Sequence, residues 1–320
     1  MKLGVMTALF GGRSLDEMLQ YCKDSGLGAV EICAGNYPGM PHANIPALLK
    51  SDKAAKEFKD KVASYGLAIS ALSCHGNPLH PDKAIAKEHH ANHRNAVKLA
   101  KKIGVDVVIN FSGCPGDSDQ AKAPNWVTCP WPDDFTKIVN WQWEKKVIPY
   151  WKQEGKFAAD NGIKLAFEMH PGFCVYNTET MLRLRDNCGK NIGANFDPSH
   201  LFWQGMDPLV SLRALKACIF HVHAKDCRID MENTPRIGVL DTKSYGDVIN
   251  RAWVFRTVGY GHGEEFWRNF ISELRLIGYD GAISIEHEDS LMSVNEGFSK
   301  AVAFLKDIIL TEKAGAMWWA

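Results

Sequence analysis

Glu168, Asp197, His223 and Glu286 each close an apolar run with the composition of a buried β-strand: residues 164–168, 192–197, 218–223 and 282–286. An ionisable side chain is an unusual end for one such run, and here four successive runs share it. Three carboxylates and an imidazole are donors that a divalent cation takes. If the runs are neighbouring parallel strands, their C-terminal ends form one rim and the four groups meet there. Glu168 and Glu286, from the outer two runs, then face each other across the cation. A cation holding a carbonyl and the adjacent hydroxyl acidifies the carbon-bound proton beside the carbonyl and stabilises the resulting enediolate. Two glutamates on opposite faces could remove that proton from one side and return it from the other, as epimerisation requires.

Such a rim demands alternating helices and parallel strands. Helix-terminating glycines at 26, 66, 104, 162 and 278 each precede a short β-rich run. Strands are expected at 3–7, 29–33, 68–73, 106–111, 164–168, 192–196, 218–223 and 282–286. Ser14-Leu-Asp-Glu17 has the form of a capping box and opens a helix to about Ser25. Apolar positions at helical spacing predict helices over 51–65, 83–103, 134–161, 178–188, 207–216, 264–277 and 293–312. The alternation places parallel strands inside and helices outside. Eight such units point to an α/β chain folded as a single (β/α)₈ barrel over residues 1–320, rather than an open sheet. Two long connections, 112–133 and 226–263, leave C-terminal strand ends, where barrels build their active sites. They are candidate lids or oligomer contacts.

Lys plus Arg and Asp plus Glu each number 37, so the chain is formally neutral. That balance argues against nucleic acid or an anionic membrane surface as partner. The nine cysteines are scattered without a CxxC pair and read as reduced thiols of a cytosolic protein. The apolar start, MKLGVMTALFGG, lacks the pattern of a signal peptide and reads as the first strand. No run approaches the ~18 apolar residues that span a bilayer. A cytoplasmic location is expected.

The segments Phe167-Glu-Met-His-Pro171, Asn195-Phe-Asp-Pro-Ser-His200, His221-Val-His-Ala-Lys-Asp226 and Ser284-Ile-Glu-His-Glu-Asp289 resemble the xylose isomerase-like TIM-barrel superfamily. The likeness is to its sugar phosphate isomerase/epimerase branch, with ketose 3-epimerases and inosose dehydratases, and it covers almost the whole chain. The resemblance implies that Glu168, Asp197, His223 and Glu286 ligate Mn²⁺ or Mg²⁺, with Co²⁺ or Zn²⁺ as alternatives. It implies that Glu168 and Glu286 are the acid/base pair and that His200 contacts a substrate hydroxyl. The substrate it implies is a keto sugar or cyclitol. The epimerases also carry an Arg shortly after the metal histidine. Arg228 stands near that place, offset by one residue, and Lys225-Asp226 departs from their pattern toward the dehydratase and lyase members. The same site could therefore serve an isomerase or epimerase, or a dehydratase or lyase that expels a β-leaving group, for example from a 3-keto glycoside. A more distant alternative is a phosphodiester hydrolase of the endonuclease IV type. Its three-zinc site resembles this one but adds histidines near the third and fourth strands, where this chain offers His75 and then Asn110.

Further substrate contacts are expected from His75 after the third strand, Asn110 ending the fourth, and His170 two residues past Glu168. Lys225 could offset developing negative charge, or simply pair with Asp226. Arg256 could reach the substrate from the long 226–263 connection. His221 lies on the strand face of His223, one layer deeper, as a supporting histidine. His287 and Glu288 would orient their neighbours. His89, His90 and His93 fall on a helical pattern and read as a solvated face. Trp126, Trp131, Trp141 and Trp143 form an aromatic group suited either to a sugar ring or to packing. The apolar tail Met317–Ala320 is expected to pack on the barrel or on a second subunit, which would make a homo-oligomer.

Overall fold

The computed structural model describes residues 1–319. The strands in chain order are β1 Lys2–Val5, β2 Ala29–Cys33, β3 Ala68–Ser73, β4 Val107–Asn110, β5 Lys164–Glu168, β6 Ile192–Phe196, β7 Ile219–Ala224, β8 Asp226–Ile229, β9 Trp253–Arg256 and β10 Ala282–Ile285. Eight of them form one parallel sheet in the order β1-β10-β7-β6-β5-β4-β3-β2. A parallel bridge from Met6 to Glu31 joins β1 to β2 and brings the sheet round into a nearly closed barrel. Barrel strands are covered on both faces, which is why they read as near-continuous apolar runs. All five residues of β2 and of β6 are buried.

The outer helices follow the expected pattern where local chemistry dictates it. Ser14 accepts a hydrogen bond from the Glu17 N–H while the Glu17 carboxylate accepts one from the Ser14 N–H, the reciprocal cap that opens helix Leu15–Asp24. Helix Lys83–Ile103 starts on Asp82, whose carboxylate accepts from the Ala84 and Ile85 N–H groups. It ends on Gly104 at φ +71°, a left-handed position that glycine adopts without a Cβ penalty. The long pattern over 134–161 is three joined pieces: Asp133–Trp141, a π-helical stretch Gln142–Val147, and Ile148–Asp160. Pro149 sits at the last junction and removes one ladder donor, a recognised cause of such irregularity.

Sequence periodicity missed several short features, the helix Thr234–Ile237 among them. Helices Ile45–Lys50 and Ser199–Phe202 are too short for a period to register. The 226–263 connection carries the antiparallel hairpin of β8 and β9, with Asp226 opposite Arg256 and Cys227 opposite Phe255. The hairpin is anchored by the buried Asp226 carboxylate. Its Oδ2 accepts from the N–H groups of Gly259 (3.1 Å), Gly261 (3.1 Å) and His262 (2.9 Å) and from Trp267 Nε1 (3.2 Å).

His89 and His93 are buried, not solvated. Helix 83–103 packs against the barrel on one side and a neighbouring helix on the other, so its histidine stripe lies inside. His89 Nδ1 accepts from the Asn77 N–H at 2.8 Å, and His93 Nδ1 lies 2.9 Å from Asn110 Oδ1. Met317, Trp318 and Trp319 are exposed at 64%, 89% and 69%, so these three do not pack on the barrel; Ala320 lies outside the described residues. Among the described residues the cysteines are free thiols, and no helix is long and apolar enough to cross a membrane.

Candidate metal centre and active site

Parallel register brings the strand ends together. Glu168 stands level with Asn195, Asn195 with His221, and His223 with Ser284. Glu168 closes β5, Asp197 follows β6, His223 lies in β7 and Glu286 follows β10, four adjacent members of the sheet. One ligand atom from each of the four lies within 4.8 Å of the others.

His223 is the centre of this group. Its Nδ1 is 3.3 Å from Glu168 Oε2 and 2.8 Å from Glu286 Oε2. Its Nε2 is 2.9 Å from Glu31 Oε2, an acidic group of β2 absent from the expected set. Glu31 is fully buried, also accepts from the Ser73 hydroxyl, and lies 3.6 Å from His221 Nε2. A carboxylate on Nε2 holds the proton there and leaves the Nδ1 lone pair for a cation. The only sequence signal for Glu31 is an acid in the middle of the buried run Ala-Val-Glu-Ile-Cys.

The electrostatics follow from these contacts. Burial would raise the Glu31 carboxyl, but His223 and His221 outweigh it and hold the group at about 2. Burial likewise opposes ionisation of Glu168, yet His75, His200 and His223 keep it well below the usual carboxylate range. Asp197 goes the other way: burial pushes it up to about 6 despite His200 and Lys225. Burial disfavours a charged Lys225, but Glu286, Glu288 and Asp197 around it push its pKa well above the ordinary value.

Asp197 Oδ2 and Glu286 Oε2 are buried with only an imidazole nitrogen close by, His200 Nε2 at 3.3 Å and His223 Nδ1 at 2.8 Å, and neither contact is aligned as a hydrogen bond. Orphaned carboxylate oxygens are costly. A cation among the four residues satisfies both, so the donor set fits a divalent metal with oxygen preference.

The remaining expected residues divide in two. His75, His170, His200 and Lys225 join the rim. His75 Nε2 lies 3.0 Å from Glu168 Oε2. His200 Nε2 is 3.4 Å from Glu168 Oε1 and 3.3 Å from Asp197 Oδ2, and the His170 ring lies 4.1 Å from that of His200. Lys225 Nζ is 3.1 Å from Glu286 Oε1 and 2.6 Å from Glu288 Oε2. His75, His170 and Lys225 frame a cavity of about 600 Å³ whose lining also includes Glu168 and Glu286, and His200 is buried outside that lining.

Asn110, Arg228 and Arg256 are placed elsewhere. Asn110 points back to His93 and to the Val108 carbonyl. Arg228 and Arg256 line a separate cavity with Asp230 and Asn250, and Arg256 Nε is tied to Asp289 Oδ2 at 3.0 Å. The strand period explains it: side chains alternate, so Phe255 turns to the barrel while Arg256 and, opposite Val254, Arg228 turn away. None of the four tryptophans named above lines the main cavity; Trp143 is core and Trp131 is 74% exposed. The aromatic wall is Phe111 and Phe173, stacked at 4.3 Å, with Tyr37 beside them. Phe111 directly follows β4, so the rule that selects strand ends also finds it.

Fold and rim define a (β/α)₈ barrel with a cluster of acids and histidines at the C-terminal mouth. The xylose isomerase-like TIM barrel family matches residues 19–308, and the chain belongs to that family. It is 38% identical over 312 residues to an uncharacterised Bacillus subtilis protein, YfiH, covering 97% of this chain and 99% of that one. It is 30% identical over 135 residues to the inosose dehydratase of Geobacillus thermodenitrificans, covering 42% of this chain and 43% of that enzyme. The barrel also superposes on the crystal structure of the probable 3-DHS dehydratase AsbF of Bacillus anthracis. The TM-score is 0.66 at 17% identity, over 96% of this chain and 99% of that one, a likeness of fold.

Proposed function

We propose that the protein is a divalent-metal-dependent isomerase or epimerase of a keto sugar or cyclitol, working by proton abstraction next to the carbonyl. The observation that carries this reading is the placement of Glu168 and Glu286, 3.3 and 2.8 Å from one imidazole nitrogen and on strands to either side of those bearing Asp197 and His223. When bound, the cation polarises the carbonyl and its neighbouring hydroxyl and so acidifies the proton between them. Glu168, kept ionised by His75, His200 and His223, starts as the proton acceptor. Glu286 delivers or takes a proton on the other side. Lys225, cationic against Glu286, places positive charge where the substrate oxygen gains negative charge. His75 is within reach of substrate hydroxyls. Phe111 and Phe173 cover an apolar ring face and keep water out.

A second reading, elimination of a β-leaving group by the same site, is favoured by the likeness to inosose dehydratase.

The test is deuterium exchange. Metal-stripped protein is reloaded with Mn²⁺ or Mg²⁺ and incubated in D₂O with ketoses, inososes and 3-keto glucosides. Metal-dependent exchange beside a carbonyl, lost in Glu168→Gln and in Glu286→Gln, is the expected result, and the product separates epimerase from lyase. Absence of exchange across the panel with metal bound would sink the proposal.

A further inference from the structure

The cavity over the rim does not end at the metal donors. A second chamber of about 320 Å³ adjoins it, and His170 and Glu288 line both. Its other walls are Tyr245, Val254, Phe255 and Ser290. Tyr245 and Phe255 stack at 5.7 Å with ring planes 22° apart, and Lys225 Nζ sits 4.3 Å from the Phe255 centroid, at the junction of the chambers. Apart from the shared His170, these walls come from the 226–263 connection and the segment after β10, parts that the barrel itself does not need.

The two chambers differ in chemistry. The first has a floor of carboxylates, histidines and Lys225, suited to a carbonyl and hydroxyls. The second offers an aromatic pair, with the Glu288 carboxylate and the hydroxyls of Tyr245 and Ser290 as its polar groups. That is a setting for a ring with an apolar face and a few polar substituents. Size allows it. A hexose occupies roughly 200 Å³, about seven times the volume share of a water. One such ring fits within the first chamber, of about 600 Å³, and leaves the second free.

We propose that the protein takes a glycoside: a keto sugar ring over the metal donors and a second ring, joined through the glycosidic oxygen, against the Tyr245–Phe255 pair and beside Ser290. This rests on the sugar reading of the site given above and specifies its substrate class. The second ring is an aryl aglycone or another sugar; both present the apolar ring face that the chamber recognises.

Calorimetric titration of the metal-loaded protein tests the chamber without chemistry. The probes are methyl β-D-glucopyranoside, phenyl β-D-glucopyranoside and cellobiose. Phenyl glucoside or cellobiose is expected to bind about tenfold more tightly than the methyl glycoside, the gain a good aromatic contact supplies. Ser290→Trp, which fills the chamber, should abolish that gain. Preference for the phenyl compound assigns the chamber to an aryl aglycone, and preference for cellobiose to a second sugar. Equal binding of the three probes, including none, or a gain that survives Ser290→Trp, overturns the two-ring inference and leaves the exchange test to judge the chemistry. A two-ring preference without deuterium exchange on the matching 3-keto glycosides supports the chamber and overturns the isomerase reading instead.

Discussion

Glu31 Oε2 lies 2.9 Å from His223 Nε2, and both residues are completely buried. They are 192 positions apart in the chain and meet across the barrel interior. The carboxylate determines which nitrogen of His223 faces Glu168, Asp197 and Glu286.

Loss of that contact should show in metal affinity. Glu31→Gln is expected to weaken Mn²⁺ binding by about 10- to 100-fold, the usual effect of removing a carboxylate behind a ligating histidine. A chelator-competition titration measures it, with the melting temperature of the metal-free protein as control for folding. Unchanged affinity in a folded variant removes Glu31 from any positioning role.

Lys225→Met should divide two properties that a packing defect would lower together. With one positive charge fewer beside Asp197 and Glu286, the cation should bind at least as tightly as before. Turnover should fall by about 10²-fold, because the developing oxyanion loses its counter-charge. Paired metal titrations and kcat values decide it. A parallel fall in both would mean that Lys225 only holds the structure together.

Asp226 is a stability prediction. Three backbone N–H groups and the Trp267 indole converge on one of its oxygens. Asp226→Ala strands these donors and should cost about 3 kcal/mol or more. Urea unfolding measures the loss. A cost below about 1 kcal/mol would show that solvent replaces the carboxylate.

Acid sensitivity should trace in part to His93. Burial holds its imidazole neutral, with the pKa pulled from 6.5 down to about 4 even though Glu154 lies 3.7 Å away. Between those values the unfolded chain binds a proton that the folded one does not. Stability therefore falls as pH drops from about 6.5 to about 4, by up to ~1.4 kcal/mol per pH unit, and this loss is complete below that window. Urea midpoints at pH 7, 5.5 and 4.5 should show a shallower decline in His93→Gln than in the natural protein. Equal slopes would exclude His93 as a source.

The chain by itself determined what depends on neighbours in sequence. Buried runs of four to six residues, the helix cap at Ser14 and the glycine stop at 104 are local events, and their bounds follow from local pattern. Alternation of those units implies the barrel, and the barrel implies that Glu168, Asp197, His223 and Glu286 meet. Tertiary structure decided what depends on closure and on facing direction. Glu31 joins the site because β2 lies across the barrel interior from β7, and no periodicity in a five-residue run shows which strand lies opposite. Arg228 and Arg256 leave it because an antiparallel hairpin turns alternate side chains outward, and a shift of one residue in register would have reversed them. His93 is buried rather than wet because its helix is enclosed on two sides, and burial is a property of the neighbours rather than of the residue.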